Sequence, residues 1–161
     1  MNIARRVVNG IVAGAAGTLA MDALLYARYR KGGGEQGPLA WETAEGADSW
    51  DGASAPAQVA RKLASYGGVD LPATSVRTVT NAMHWAYGSN WGSLLGVAGA
   101  KGLRAGVVLG VGVFGFDYVT LPLMGIYKPI WEYDTQVLWN DLSAHLVFGV
   151  VTGVVAEALA D

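Results

Sequence analysis

Apolar residues fall along this chain in four long runs, each near the ~20 residues that a helix needs to cross ~30 Å of hydrocarbon. They extend from about Val7 to Tyr29, Val76 to Ala100, Leu103 to Ile126 and Val137 to Leu159. The pattern predicts an all-α integral membrane protein, a four-transmembrane-helix bundle with both termini on the same side of the bilayer. Lys101-Gly-Leu-Arg104 is a very short turn, so the second and third runs are expected to form a tight antiparallel hairpin. The link from Tyr127 to Asp134 is also short, and Pro129 is expected to stop the third helix.

Only the segment 31–74 is long enough to stand outside the membrane. It opens with Gly32-Gly33-Gly34 and holds many of the acidic residues. Two short helices are predicted in it, one from Pro38 through Trp41 to Gly46, the other opened by Ser54 and Pro56 and closed by Gly67-Gly68. Val59, Leu63 and Tyr66 share a face of the second, which fits a helix lying on the membrane surface or one capping the bundle. The start, Met1-Asn-Ile-Ala-Arg-Arg before an apolar run, resembles a secretory leader. The run to Tyr26 is longer than a leader's apolar region, so it is read as a retained first helix within a single membrane domain, 1–161.

Composition reinforces the membrane assignment. Charged residues are 15% of the chain, against about 25% in soluble domains. The 23 glycines are about twice the usual share, and most sit inside the apolar runs, where small residues let membrane helices approach closely. A net charge of −2 offers no field for nucleic acid. With two histidines and no cysteine, thiolate zinc sites, cysteine-held clusters and thiol redox chemistry are excluded.

Tyr26, Tyr29, Trp85, Trp91, Tyr127, Trp131, Tyr133 and Trp139 lie near predicted helix ends, as in an aromatic belt. Basic residues divide between the two sides: Arg5, Arg6, Lys101 and Arg104 against Arg28, Arg30, Lys31, Arg61, Lys62, Arg77 and Lys128. The count leans toward a cytoplasmic long loop with outside termini, although the first helix's own flanks pull weakly. The expected location is the cytoplasmic (inner) membrane, multi-pass, with the lipid bilayer as the obligatory partner.

The second and fourth runs share a pattern. His84-Trp-Ala-Tyr87-Gly88 is followed by Gly92, and His145-Leu-Val-Phe148-Gly149 by Gly153. Gly17 ahead of Met21-Asp22 loosely matches Gly112 ahead of Phe116-Asp117. Each half thus places a glycine-rich helix with one aspartate before a helix with one histidine, as a duplicated two-helix unit would. Asp22, His84, Asp117 and His145 are expected within roughly 15 Å of the same membrane face, turned toward a common interior.

Ionisable groups inside a membrane face a cavity or a partner. Three readings of the four residues stay open. Each aspartate–histidine pair is a hydrogen-bonded clamp between helices, or the four form a proton or ion pathway, or they hold a divalent metal ion. A bis-histidine haem suits the adjacent carboxylates poorly. No cofactor is expected, with the divalent ion as the alternative.

Gly10 and Gly14, Gly88, Gly92 and Gly96, Gly106 and Gly110, and Gly149 and Gly153 form small-residue ridges for tight helix packing, within one chain or between protomers of a homo-oligomer or larger membrane complex. There is no Gly-x-Ser-x-Gly elbow, phosphate loop or His-Glu-x-x-His. Glu132, Asp134 and Asp141 suit the dipole at the start of the fourth helix. The chain is therefore read as a non-enzymatic accessory or scaffold component acting through helix–helix contacts, with a small proton- or metal-coupled transporter or channel as the alternative.

The first hundred residues carry a family likeness. Gly10-Ile-Val-Ala-Gly14 with Thr18 and Met21, Pro56-Ala-Gln-Val-Ala-Arg-Lys-Leu63 with Gly67, and Ala82-Met-His84-Trp-Ala-Tyr87-Gly88 with Gly92 and Gly96 together resemble the YagU-like proteins. These are a branch of the small bacterial inner-membrane proteins grouped as a domain of unknown function. Leu95 stands where that family has a tyrosine. The resemblance implies a helical membrane protein and no particular activity.

Overall fold

The first helix, α1 (Ile3–Lys31), is started by Asn2, whose side chain accepts from the Arg5 backbone N–H at 2.9 Å. Arg28, Arg30 and Lys31 close it, placing positive charge at the negative end of its dipole. The other long helices are α4 (Val76–Ala98), α5 (Gly102–Leu123) and α6 (Thr135–Ala158). Between α1 and α4 lie two shorter ones, α2 (Pro38–Glu42) and α3 (Ala55–Tyr66), each with proline in its first turn. The computed structural model describes residues 2–160, and no strand occurs among them.

The helices α1, α5 and α6 are each long and apolar enough to cross a membrane. At 23 residues α4 is of similar length, but Arg77, Asn81, His84 and Asn90 make it more polar. The third long helix ends at Leu123, earlier than Ile126, and Pro129 is not what stops it. Pro122 stands in its last turn, and Gly125 takes a left-handed backbone (φ 67°) that turns the chain out of the helix.

Glycines decide which helices touch. A Cβ at Gly14 would drive into the carbonyl of Gly88, and one at Gly10 into that of Gly92, so α1 and α4 cross backbone to backbone. The same happens where Gly106 meets Gly149 and Gly153 meets Gly102, which locks α5 to α6. Gly17 then lies against Phe148 and Thr152, joining α1 to α6. The four long helices accordingly form an arc in the order α4, α1, α6, α5.

The two ends of that arc barely touch. The expected hairpin of the second and third long helices is therefore absent, although the turn between them is as short as foreseen. A short turn fixes only the distance between two helix ends. Along their length, the glycine faces of α4 and α5 look toward α1 and α6, while Trp91 and Phe116 meet edge-on across the gap at 5.3 Å and prop it open.

The helix α3 caps the bundle rather than lying away from it. Trp50, Ala53, Ala57 and Val76 form a small buried core beneath it. The Trp50 indole donates to the Leu71 carbonyl at 3.2 Å, and the Lys62 ammonium donates to the Met124 carbonyl at the end of α5. At the opposite end of the bundle, Arg6 donates to the carbonyls of Gly96 (3.0 Å) and Val97 (2.8 Å), satisfying the last turn of α4.

Candidate functional site

Both expected aspartate–histidine pairs form. On α4, His84 Nε2 lies 3.0 and 2.9 Å from the two carboxylate oxygens of Asp22 on α1. On α6, His145 Nε2 lies 3.4 Å from Asp117 Oδ2 of α5. Asp22 and His145 are buried and His84 is partly exposed, so at least one member of each pair is withdrawn from water.

The two pairs are not equivalent. If the glycine crossings are laid over one another, Gly14 corresponds to Gly106, and the position matching Asp22 is Phe114. Phe114 stacks edge-on against His145 with ring centres 5.9 Å apart. Asp117 stands nearly one helical turn farther along, which explains its longer reach to His145. From there it also accepts a hydrogen bond from the Tyr87 hydroxyl of α4. The loose match of Gly17 with Gly112 ahead of the aspartates is thus out of step with the packing.

Displacement of Asp117 divides the four residues into two clusters instead of gathering them at one point. Asp22 and His84 are joined by Glu42 of α2, and the ligand-bearing atoms of these three lie within 4.8 Å of one another. The second cluster runs from Tyr87 to Asp117 to His145 and on to Asp141, whose backbone carbonyl is 2.9 Å and whose Oδ1 is 3.3 Å from His145 Nδ1. A single ion held by His84, His145, Asp22 and Asp117 does not match this arrangement.

A cavity of about 320 Å³ opens between the clusters. His84, Tyr87, Asp117 and His145 give it polar walls, and Met21, Leu25, Trp91, Val113 and Phe148 give it apolar ones. Ser54, Ala55 and Pro56 at the start of α3 close one end, together with Tyr127. Trp91 and Val113 also line an apolar groove of about 560 Å³ that follows the α4–α5 gap to Ala100 and Arg104.

Two groups outside the long helices respond to the site. Burial, then the charges of Asp141 and Asp117, push the Tyr127 phenol up to about 12. Burial, then the neighbouring Asp22 carboxylate, raises Glu42 above the usual carboxylate range.

Of the expected packing residues, Gly96 also meets α1, where its Cβ would strike the Arg6 carbonyl, and Gly110 meets the His145 carbonyl. Glu42, Tyr87 and Asp141 are the members that sequence reasoning missed. The four-residue spacing of Asp141 and His145 was a readable signal, since such residues share a helix face.

No family model, no curated protein and no solved structure matches this chain. The likeness to the YagU-like proteins rests on the residues quoted for it.

Proposed function

We propose that this chain is a four-span protein of the cytoplasmic membrane that conducts protons through the space between α4 and α5. In this reading Asp141, His145, Asp117 and Tyr87 hand protons between one membrane face and the central cavity. The apolar groove beyond Trp91 leads to the opposite face near Arg104. The observation that carries the reading is the relay of titratable groups, drawn from α4, α5 and α6, that ends in the cavity. Imidazole, carboxylate and phenol groups in contact pass a proton from one to the next.

The lengthwise contact of α4 with α1 supports a fourth span. Gly88 and Gly92 meet α1 backbone to backbone, and Asp22 of α1 takes up the His84 imidazole of α4. The accessory or scaffold reading loses its main support, because the glycine ridges that favoured it are occupied within the chain. The glycines of α5 that remain open are Gly112 and Gly115, where an added Cβ would meet nothing within 4 Å.

The test is proton flux into liposomes holding the purified chain and an entrapped pH-sensitive dye, driven by a potassium diffusion potential. The reading expects faster internal acidification than in empty vesicles. Vesicles as tight as protein-free ones would overturn it.

A further inference from the structure

We propose that Asp22, Glu42 and His84 form a binding site for one divalent transition-metal ion, with Glu42 delivered from the extramembrane segment to complete it. The site is separate from the relay through Asp117 and His145 and does not depend on that reading.

Geometry supplies the first argument. Two ligands each about 2.1 Å from a tetrahedral ion stand about 3.4 Å apart. His84 Nε2 is 2.9 Å from Asp22 Oδ2, and the three ligand-bearing atoms lie within 4.8 Å of one another. Holding one ion would take an opening of the His84–Asp22 pair by about 0.5 Å, from 2.9 to about 3.4 Å, with Glu42 drawn in toward them. Glu42 Oε1 is buried beside them and accepts no hydrogen bond from the backbone or a side chain.

The second argument is how firmly Glu42 is held there. A five-residue helix has little stability of its own, yet α2 is clamped from both sides. Trp41 packs on Tyr26 and Tyr29 of α1, with ring centres 5.4 and 6.1 Å away. From α4, Arg77 and Asn81 donate to the carbonyl of Thr43, the residue after Glu42, at 3.0 and 2.9 Å. This construction holds a third donor beside Asp22 and His84 across a partly buried space, where the repulsion between two carboxylates is relieved by a proton on Glu42 or His84, or by a bound cation. Arg77 does not relieve it, since its guanidinium is engaged with Thr43 through both the carbonyl and the hydroxyl.

The donor set chooses the ion. Imidazole nitrogen beside two carboxylate oxygens suits Zn²⁺, Fe²⁺ or Mn²⁺ better than Mg²⁺ or Ca²⁺, which prefer all-oxygen shells. A cleft bordered by Leu19, Tyr26, Leu39 and Trp41 adjoins Asp22 and Glu42, which leaves room for a water or an exchanging ligand to complete the coordination.

The test is equilibrium binding of Zn²⁺ to the full chain in detergent, with Mg²⁺ as the control. The expected result is one Zn²⁺ per chain, undiminished by excess Mg²⁺. Altering groups that merely support ligands weakens metal binding about 10- to 100-fold, so Glu42→Gln, which removes a ligand, should weaken it at least about tenfold. Glu42 lies outside the long helices, so an unchanged circular dichroism melt is expected for this variant. Asp22→Asn should have the same effect, and His145→Gln none. No Zn²⁺ bound at tens of micromolar, binding unchanged by Glu42→Gln, or binding lost with His145→Gln would each overturn the proposal. Because the readout is metal binding, its failure is distinct from failure of proton conduction.

Discussion

Exchanging Gly149 for alanine should damage this protein far more than the same exchange at Gly112. A Cβ at Gly149 would overlap the Gly106 carbonyl and stand 2.7 Å from the Gly110 Cα. Ordinary contact begins near 3.4 Å, so α5 and α6 must part by the better part of 1 Å. A gap of 0.5–1 Å forfeits about a quarter to a half of each dispersion contact it opens. The obstruction is backbone on all sides and cannot rotate away, so the cost belongs with overpacking, about 1–3 kcal/mol. At Gly112 nothing lies within 4 Å, and the better helix propensity of alanine contributes up to about 1 kcal/mol of stabilisation. Thermal or denaturant unfolding in one detergent, followed by circular dichroism, gives the comparison. Equal midpoints for the two variants would refute the backbone-to-backbone crossing of α5 and α6.

Two further outcomes follow from the site. A double-mutant cycle of Asp22→Asn with His84→Gln should return a coupling of about 0.6 kcal/mol and no more than about 1.7, as for other hydrogen bonds between membrane helices; additive effects would mean that the pair is not a clamp. The Tyr127 phenol lies above its ordinary value of 10, at about 12, so the fold favours its neutral form. That contribution is complete below pH 10 and is lost as pH rises toward 12. Tyr127→Phe should therefore make the alkaline fall in melting temperature shallower, and an identical fall in both proteins would contradict the burial of that hydroxyl.

Much of the architecture was legible because membrane helices announce themselves by length and apolarity. The runs beginning near Val7, Leu103 and Val137 correspond to α1, α5 and α6 within a few residues. Asp22, His84, Asp117 and His145 stood out for the complementary reason: each is a rare ionisable group in an apolar run, and each found its helix-to-helix partner. Glu42 escaped notice because an acid in a polar loop looks like any other. Only the tertiary clamp on α2 by Trp41, Arg77 and Asn81 brings it to the site. The false hairpin arose from weighing the Lys101–Arg104 turn above the glycine faces. Those faces were visible in the sequence, but not which helix each would choose.

The division into two clusters has the same origin. Sequence spacing treated Asp22 and Asp117 as counterparts, whereas the crossing of Gly106 with Gly149 sets a register in which Phe114 takes the place of Asp22. One helical turn then separates the pair beside α2 from the cluster of Tyr87, Asp117, His145 and Asp141. Register set by backbone contact cannot be read from a motif that contains so many glycines.

The most direct test of proton conduction compares the wild-type chain with Asp117→Asn in dye-loaded liposomes. Asp117 touches both Tyr87 and His145, and asparagine keeps its shape while removing its proton-accepting carboxylate. The account predicts acidification driven by the wild-type chain and a loss of at least about tenfold in rate for the variant, a typical scale for a lost proton-transfer group being 10²–10⁴-fold. Equal rates in the two preparations, with equal amounts of folded protein inserted, would contradict it.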